Sequence, residues 1–130
     1  MIKKMVQTTV YVNNLEEAKD FYVNTLGFVV RAEEQFGSDW EYLAISPDRR
    51  NETVIELAKA STSEQEKLIG KQGGGLNMMM FETDDIKADY NRLKAQGVIF
   101  YGEPQTVPGG MGVGFKDLYG NELDLFEPEK

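Results

Sequence analysis

Alternating and helical runs of apolar residues divide this chain into two passages of the same kind. From Met5 to Val12 the residues alternate, with Thr8, Val10 and Val12 on one face and Gln7, Thr9 and Tyr11 on the other, which predicts a strand. Asn13-Asn14 then offers a helix N-cap, and Glu17, three residues after Asn14, completes a capping-box pattern. Leu15, Ala18, Phe21, Tyr22, Thr25 and Leu26 follow helical spacing, and Gly27 stands where the left-handed residue after a helix belongs. Three strand-like runs come next, Phe28–Phe36, Trp40–Ile45 and Thr53–Ala58, the last two separated by the turn residues Asp48-Arg49-Arg50-Asn51 behind Pro47.

A polar stretch from Lys59 to Gly75 interrupts the pattern, with Ser63 and Glu66 placed to start a short helix and Gly73-Gly74-Gly75 to end it. The order then recurs. Leu76–Glu82 reads as a strand, Asp84 or Asp85 caps a helix carrying Ile86, Tyr90 and Leu93, and Gly97 stops it. Val98–Tyr101, Gly112–Phe115 and Glu122–Phe126 supply three more strands, with Tyr119-Gly120-Asn121 as the final hairpin turn. Superposing the halves pairs Gln7 with Met78, Leu15 with Ile86, Tyr22 with Leu93, Gly27 with Gly97 and Glu56 with Asp124, the signature of an internal duplication. The expected fold is therefore α+β: two tandem βαβββ modules, about 1–59 and about 75–130, joined by a linker of about 60–74 in a single domain.

A sheet covered by one helix buries its more apolar face. Ile55 and Leu57, and likewise Leu123 and Leu125, are the natural helix-facing pairs. Glu56 and Asp124 are then directed to the other face, as Gln7 is. For Met78-Met79-Met80 the pattern does not choose, because both faces are apolar. Two such curved, mixed sheets, each a half-barrel, would enclose a concave cleft with Gln7, Glu56 and Asp124 on its floor.

Composition narrows the chemistry. There is no histidine and no cysteine, so neither imidazole nor thiolate is available as base, nucleophile or metal ligand. The absence of cysteine fits a reducing compartment, no apolar run reaches the roughly 18 residues of a membrane span, and Lys3-Lys4 is not followed by a signal-like apolar segment. A cytoplasmic protein is expected. The net charge of −8 argues against nucleic acid and anionic membranes as partners. Gly109-Gly110-Met111-Gly112 lacks the helix start and lysine of a phosphate loop and reads as a mobile rim before a strand.

Four segments in order resemble one family. "VYVNNLEEAKDFYVNTLGF" is similar to the opening of the vicinal-oxygen-chelate superfamily, "FETDDIKADYNRLKAQGV" to the start of its second module, and "FKDLYGNELDLFEP" to its closing hairpin. The Glu of "TVIELAKA" joins them, so the resemblance covers nearly the whole chain. The superfamily includes glyoxalase I, fosfomycin-resistance enzymes, extradiol dioxygenases, methylmalonyl-CoA epimerase and metal-free bleomycin-binding proteins. In its metal-dependent members the first and last strands of each module supply the ligands, which carries over to Gln7, Glu56, Met78 and Asp124 here. Met78 stands where histidine is usual, and its soft thioether suits the family's ions poorly.

The resemblance implies two functions. One is a metal-free protein that binds a small molecule in the cleft, with Gln7, Met78, Met80, Trp40, Tyr42, Tyr101 and Phe115 as ligand-binding candidates. The other is a lyase, isomerase or epimerase of the glyoxalase I type, in which Gln7, Glu56 and Asp124 hold a divalent metal ion and Glu56 and Asp124 act as catalytic carboxylates. A dioxygenase fits less well, because its iron site draws on histidines. The residue set favours no metal or other cofactor. Two facing carboxylates without an ion would repel, raising the pKa of one. A homodimer is expected, since each module leaves an apolar concave face and open strand edges, and the modules that pair can come from one chain or from two.

Overall fold

The structure, a computed structural model, describes all 130 residues and contains two four-stranded mixed sheets. In the first unit, Met1–Ile69, the elements are β1 (Gln7–Val12), α1 (Leu15–Lys19) with a π-helical continuation over Asp20–Thr25, β2 (Val29–Phe36), β3 (Trp40–Ser46), β4 (Val54–Lys59) and α2 (Ser63–Leu68). The second unit, Gly70–Lys130, holds β5 (Met79–Glu82), α3 (Ile86–Ala95), β6 (Gln105–Val107), β7 (Gly110–Lys116) and β8 (Glu122–Pro128). The sheet orders are β1-β4-β3-β2 and β5-β8-β7-β6, with only the β1/β4 and β5/β8 pairs parallel. Each unit is thus a βαβββ module, and the repeat expected from the sequence is present in the topology.

Burial follows the alternation. Val10, Val12, Ile55 and Leu57 lie at 4% exposure or less, with β4 packed against α1, and Leu123 and Leu125 are buried on β8, which packs against α3. The Asn14 side chain accepts from the Glu17 N–H at 2.9 Å, which is the expected cap. The first helix is not α throughout. From Asp20 it widens, the Leu26 N–H reaching back to the Phe21 carbonyl at 2.9 Å, five residues rather than four. Ala18, Tyr22 and Leu26 are buried across the α-to-π junction.

In α3, Ile86, Tyr90 and Leu93 form the buried stripe anticipated for it. Its N-terminus is capped twice: Asp85 Oδ1 accepts from the Ala88 N–H, and Glu127 of β8 accepts from the Ile86 N–H at 2.8 Å. The short α2 is capped by Thr62, one residue before the Ser63 that the sequence pointed to.

Three elements differ from expectation. Val98–Tyr101 is not a full strand but an isolated rung, Phe100 opposite Phe115, flanked by Tyr101 N–H to Gly114 O and Lys116 N–H to Ile99 O, each 2.9 Å. Gly102, at φ +130°, and Pro104, which has no N–H to offer, break the ladder, and pairing with β7 resumes only at Gln105–Val107. The Gly109–Gly112 segment is no loose rim, because β7 begins at Gly110 and pairs with both neighbours. Leu76 stands 74% exposed before β5, which starts only at Met79.

Candidate functional site

On the open face of the first sheet the register sets Glu56 beside Thr9 on β1 and Ala44 on β3. Glu56 is only 9% exposed, and a carboxylate removed from water needs donors. It has three. Oε1 accepts from Gln7 Nε2 at 3.2 Å and from Thr9 Oγ1 at 3.4 Å, and Oε2 accepts from the Trp40 indole Nε1 at 3.3 Å. The Tyr42 hydroxyl donates to Gln7 Oε1 at 2.5 Å, so both ends of that amide are engaged. Burial, then the charges of Glu56 and Glu34, raise the Tyr42 pKa above its ordinary value. Beside this network Phe36, Trp40 and Tyr42 cluster, with ring centroids 4.9 to 6.5 Å apart.

The second sheet repeats the arrangement with different residues. Asp124 on β8 lies opposite Met80 on β5 and Gly114 on β7. Asn77, just before β5, donates from Nδ2 to Asp124 Oδ2 at 2.5 Å, so a carboxamide clamps a carboxylate in each module. Tyr101 donates to Glu122 at 3.0 Å, with the Lys116 ammonium 5.5 Å from its ring centre. Gly110, Gly112 and Gly114 alternate along β7 on the Asp124 side, and a Cβ at Gly114 would come within 3.3 Å of Asp124 Oδ1 and 3.2 Å of the Tyr101 ring.

Burial raises the pKa of Asp124, the Asn77 hydrogen bond opposes the rise, and the nearby Glu122 charge adds to it. With the folded pKa above the unfolded one, Asp124's stabilising contribution is present below its unfolded pKa and lost as pH rises through the folded value. Asn77→Ala is expected to raise the pKa further and Glu122→Gln to lower it, read by carboxyl NMR titration. An unchanged Asp124 titration in Asn77→Ala would mean that the clamp does not operate in solution.

The structure sorts the candidates by face. Gln7, Trp40, Tyr42 and Glu56 meet on the first sheet; Met80, Tyr101 and Asp124 gather on the second. Phe115 does not join them. It is 1% exposed on the helix side, its ring 5.7 Å from Phe100, because a strand that presents Gly114 to Asp124 must turn Phe115 the other way. Met78 leans on the glycine loop, where a Cβ on Gly73 would lie 2.9 Å from its Cγ. Thr9, Phe36 and Asn77 were not singled out from the sequence. Thr9 shares the Gln7 face, a signal that was present; Asn77 carried none, since it precedes the strand.

The residues do not fit the divalent ion that the superfamily's enzymes use. The Gln7 carbonyl oxygen is committed to Tyr42, and a thioether holds the position of the usual histidine. No helix is long and apolar enough to cross a membrane.

With this geometry in view, the likeness to known proteins is informative. The profile of the glyoxalase/bleomycin resistance protein/dioxygenase superfamily matches residues 4–125. An uncharacterized protein of Shewanella frigidimarina is 38% identical over 128 residues, covering 98% of this chain and 95% of that one. The uncharacterized protein YetH of Bacillus subtilis is 31% identical over 98% of this chain and 100% of its own length. Among solved structures, UcmS2 superposes with a TM-score of 0.83 at 28% identity, covering 97% of this chain and 98% of its own. TnmS3, an antibiotic binding protein from Streptomyces sp. CB03234, superposes at 0.80 with 32% identity, covering 98% of both chains. Two βαβββ modules, a carboxylate on the last strand of each and a profile match over almost the whole length lead to one conclusion: the chain belongs to the glyoxalase/bleomycin resistance protein/dioxygenase superfamily.

Proposed function

We propose that this protein binds a small organic molecule without transforming it, on the open sheet faces, with Glu56 as the central acceptor. The observation that carries this reading is the Glu56 carboxylate, nearly buried, fixed by three neutral donors and bordered by three aromatic rings. That combination offers one directional polar anchor and a broad apolar contact surface, the usual make-up of a small-molecule site. Asp124, clamped by Asn77 beside Met80 and Tyr101, provides a second acceptor on the other module. The likeness to TnmS3, an antibiotic binding protein, supports the same reading.

The test is a titration of bleomycin and a panel of planar polycyclic antibiotics, followed by the fluorescence of Trp40, the single tryptophan. At least one compound is expected to quench it. Glu56→Gln, which keeps the side-chain shape and removes the charge, is expected to weaken that binding roughly ten- to a hundredfold, the worth of a charge-assisted hydrogen bond. Equal affinity in Glu56→Gln, with Gln7 and Tyr42 unperturbed, would remove the carboxylate from the site.

A further inference from the structure

The two oxygens of Glu56 are held by different parts of the fold. Oε1 is bound by Gln7 and Thr9, both on β1, the strand paired along β4. Oε2 is bound by Trp40, the last rung of the β2–β3 hairpin, where Phe36 faces Trp40 across the turn Gly37-Ser38-Asp39. Trp40 lies four residues along β3 from Ala44, the residue opposite Glu56, a distance of about 13 Å at strand rise. The indole therefore folds back along the open face to reach the carboxylate, resting near Tyr42 at 5.7 Å and Phe36 at 4.9 Å. Despite these contacts Trp40 is 50% exposed and Phe36 46%. Large aromatics this open at a hairpin tip keep only about half of the gain of full burial, and the hydrogen bond with the neighbours' edges sets where the indole rests.

We propose that Trp40 is a built-in stand-in for the ligand: in the free protein its indole N–H occupies Glu56 Oε2, and the ligand that displaces it is a planar heteroaromatic carrying a ring N–H. This rests on the function proposed above and names the chemical class for the same site. The stand-in defines the class by what it satisfies. Glu56 Oε2 requires a donor, and the space beside it is bounded by the rings of Phe36 and Tyr42, so its occupant is flat, aromatic and donates from the ring edge. A compact cation would satisfy the carboxylate but leave the ring faces uncovered. The exchange replaces one N–H···carboxylate bond by another, so Trp40 competes with the ligand and lowers its apparent affinity.

The full chain labelled with ¹⁵N gives a single indole N–H resonance, from Trp40. Three probes are titrated against it: indole, 1-methylindole, which has the same shape without the N–H, and methylammonium. Indole is expected to shift the Trp40 indole resonance, and 1-methylindole to bind at least tenfold more weakly. Methylammonium should leave it in place. Trp40→Phe, which keeps a ring but not the donor and has no indole resonance of its own, is titrated by calorimetry alongside the unaltered protein and should bind indole about tenfold more tightly, because one competing hydrogen bond is gone. Equal binding of 1-methylindole, equal displacement by methylammonium, weaker indole binding by Trp40→Phe, or no response to indole up to its solubility would each overturn the proposal. The indole and 1-methylindole comparison uses the unaltered protein and does not depend on how Trp40→Phe folds. If Glu56→Gln loses indole while Trp40→Phe also binds it more weakly, the stand-in fails and the underlying function stands. If Glu56→Gln binds indole as well as the unaltered protein does, the function itself fails.

Discussion

Truncating Phe115 to alanine is expected to lower the free energy of unfolding by about 3–5 kcal/mol, the range for a large aromatic removed from a core. Phe115 is 1% exposed, stacked at a tilt on Phe100, whose ring lies 4.7 Å from Tyr90 of α3. The side chain thus joins β7 to the helix through a continuous aromatic column, and removing it leaves a cavity that rigid strand backbone does not fill. Urea denaturation would show the loss as a lower midpoint at an unchanged slope. The prediction also decides between two roles. Had Phe115 lined a ligand site, its truncation would cost less than about 1 kcal/mol in stability and act on binding instead.

Gly70→Ala is expected to cost about 2–5 kcal/mol, from two terms that add. Gly70 has φ +75°, a left-handed conformation that costs an L-residue about 1–2 kcal/mol. A Cβ there would also stand 2.1 Å from the Tyr119 carbonyl oxygen, and backbone on backbone cannot yield as a side-chain tip does, which adds about 1–3 kcal/mol. Gly74→Ala separates the terms: its φ is +61° but nothing lies within 4 Å of the added methyl. The difference between the two variants, measured by the same denaturation, reports the clash alone. A Gly70→Ala cost no larger than that of Gly74→Ala would mean that the glycine loop does not close on the Tyr119 turn in solution.

That turn shows how far local sequence reaches. Tyr119-Gly120-Asn121 was legible as a hairpin turn, and Gly120 does take φ +95°. What organises it is Asp117, whose carboxylate accepts from the Tyr119 and Asn121 backbone N–H groups and from the Asn121 side chain, all at 2.8 to 2.9 Å. The short-range chemistry of an Asp-containing turn is encoded within five residues, so sequence alone is enough to find it.

The same holds for the module as a whole. Helix caps at Asn14 and Asp85, the buried pairs Ile55/Leu57 and Leu123/Leu125, and the doubled order of elements all depend on periods of two or 3.6 residues and on side chains three positions apart. Those relations exist within a single segment before any segment meets another, and the sequence by itself determined them. The directing of Glu56 and Asp124 away from their helices belongs to the same class, because it follows from the burial of their neighbours. What meets those carboxylates does not. Gln7 is 49 positions from Glu56, Trp40 is 16, and Asn77 is 47 from Asp124. Tertiary structure chose them through strand register, and the sequence pattern does not specify register where both faces of a strand are apolar, as in Met78–Met80, or where glycines alternate, as in β7. It was register too that turned Phe115 into the core and set Met80 opposite Asp124. The break at Gly102–Pro104 moved the outer strand of the second sheet to Gln105–Val107, because a strand's place in a sheet depends on the hydrogen bonds its neighbours leave available.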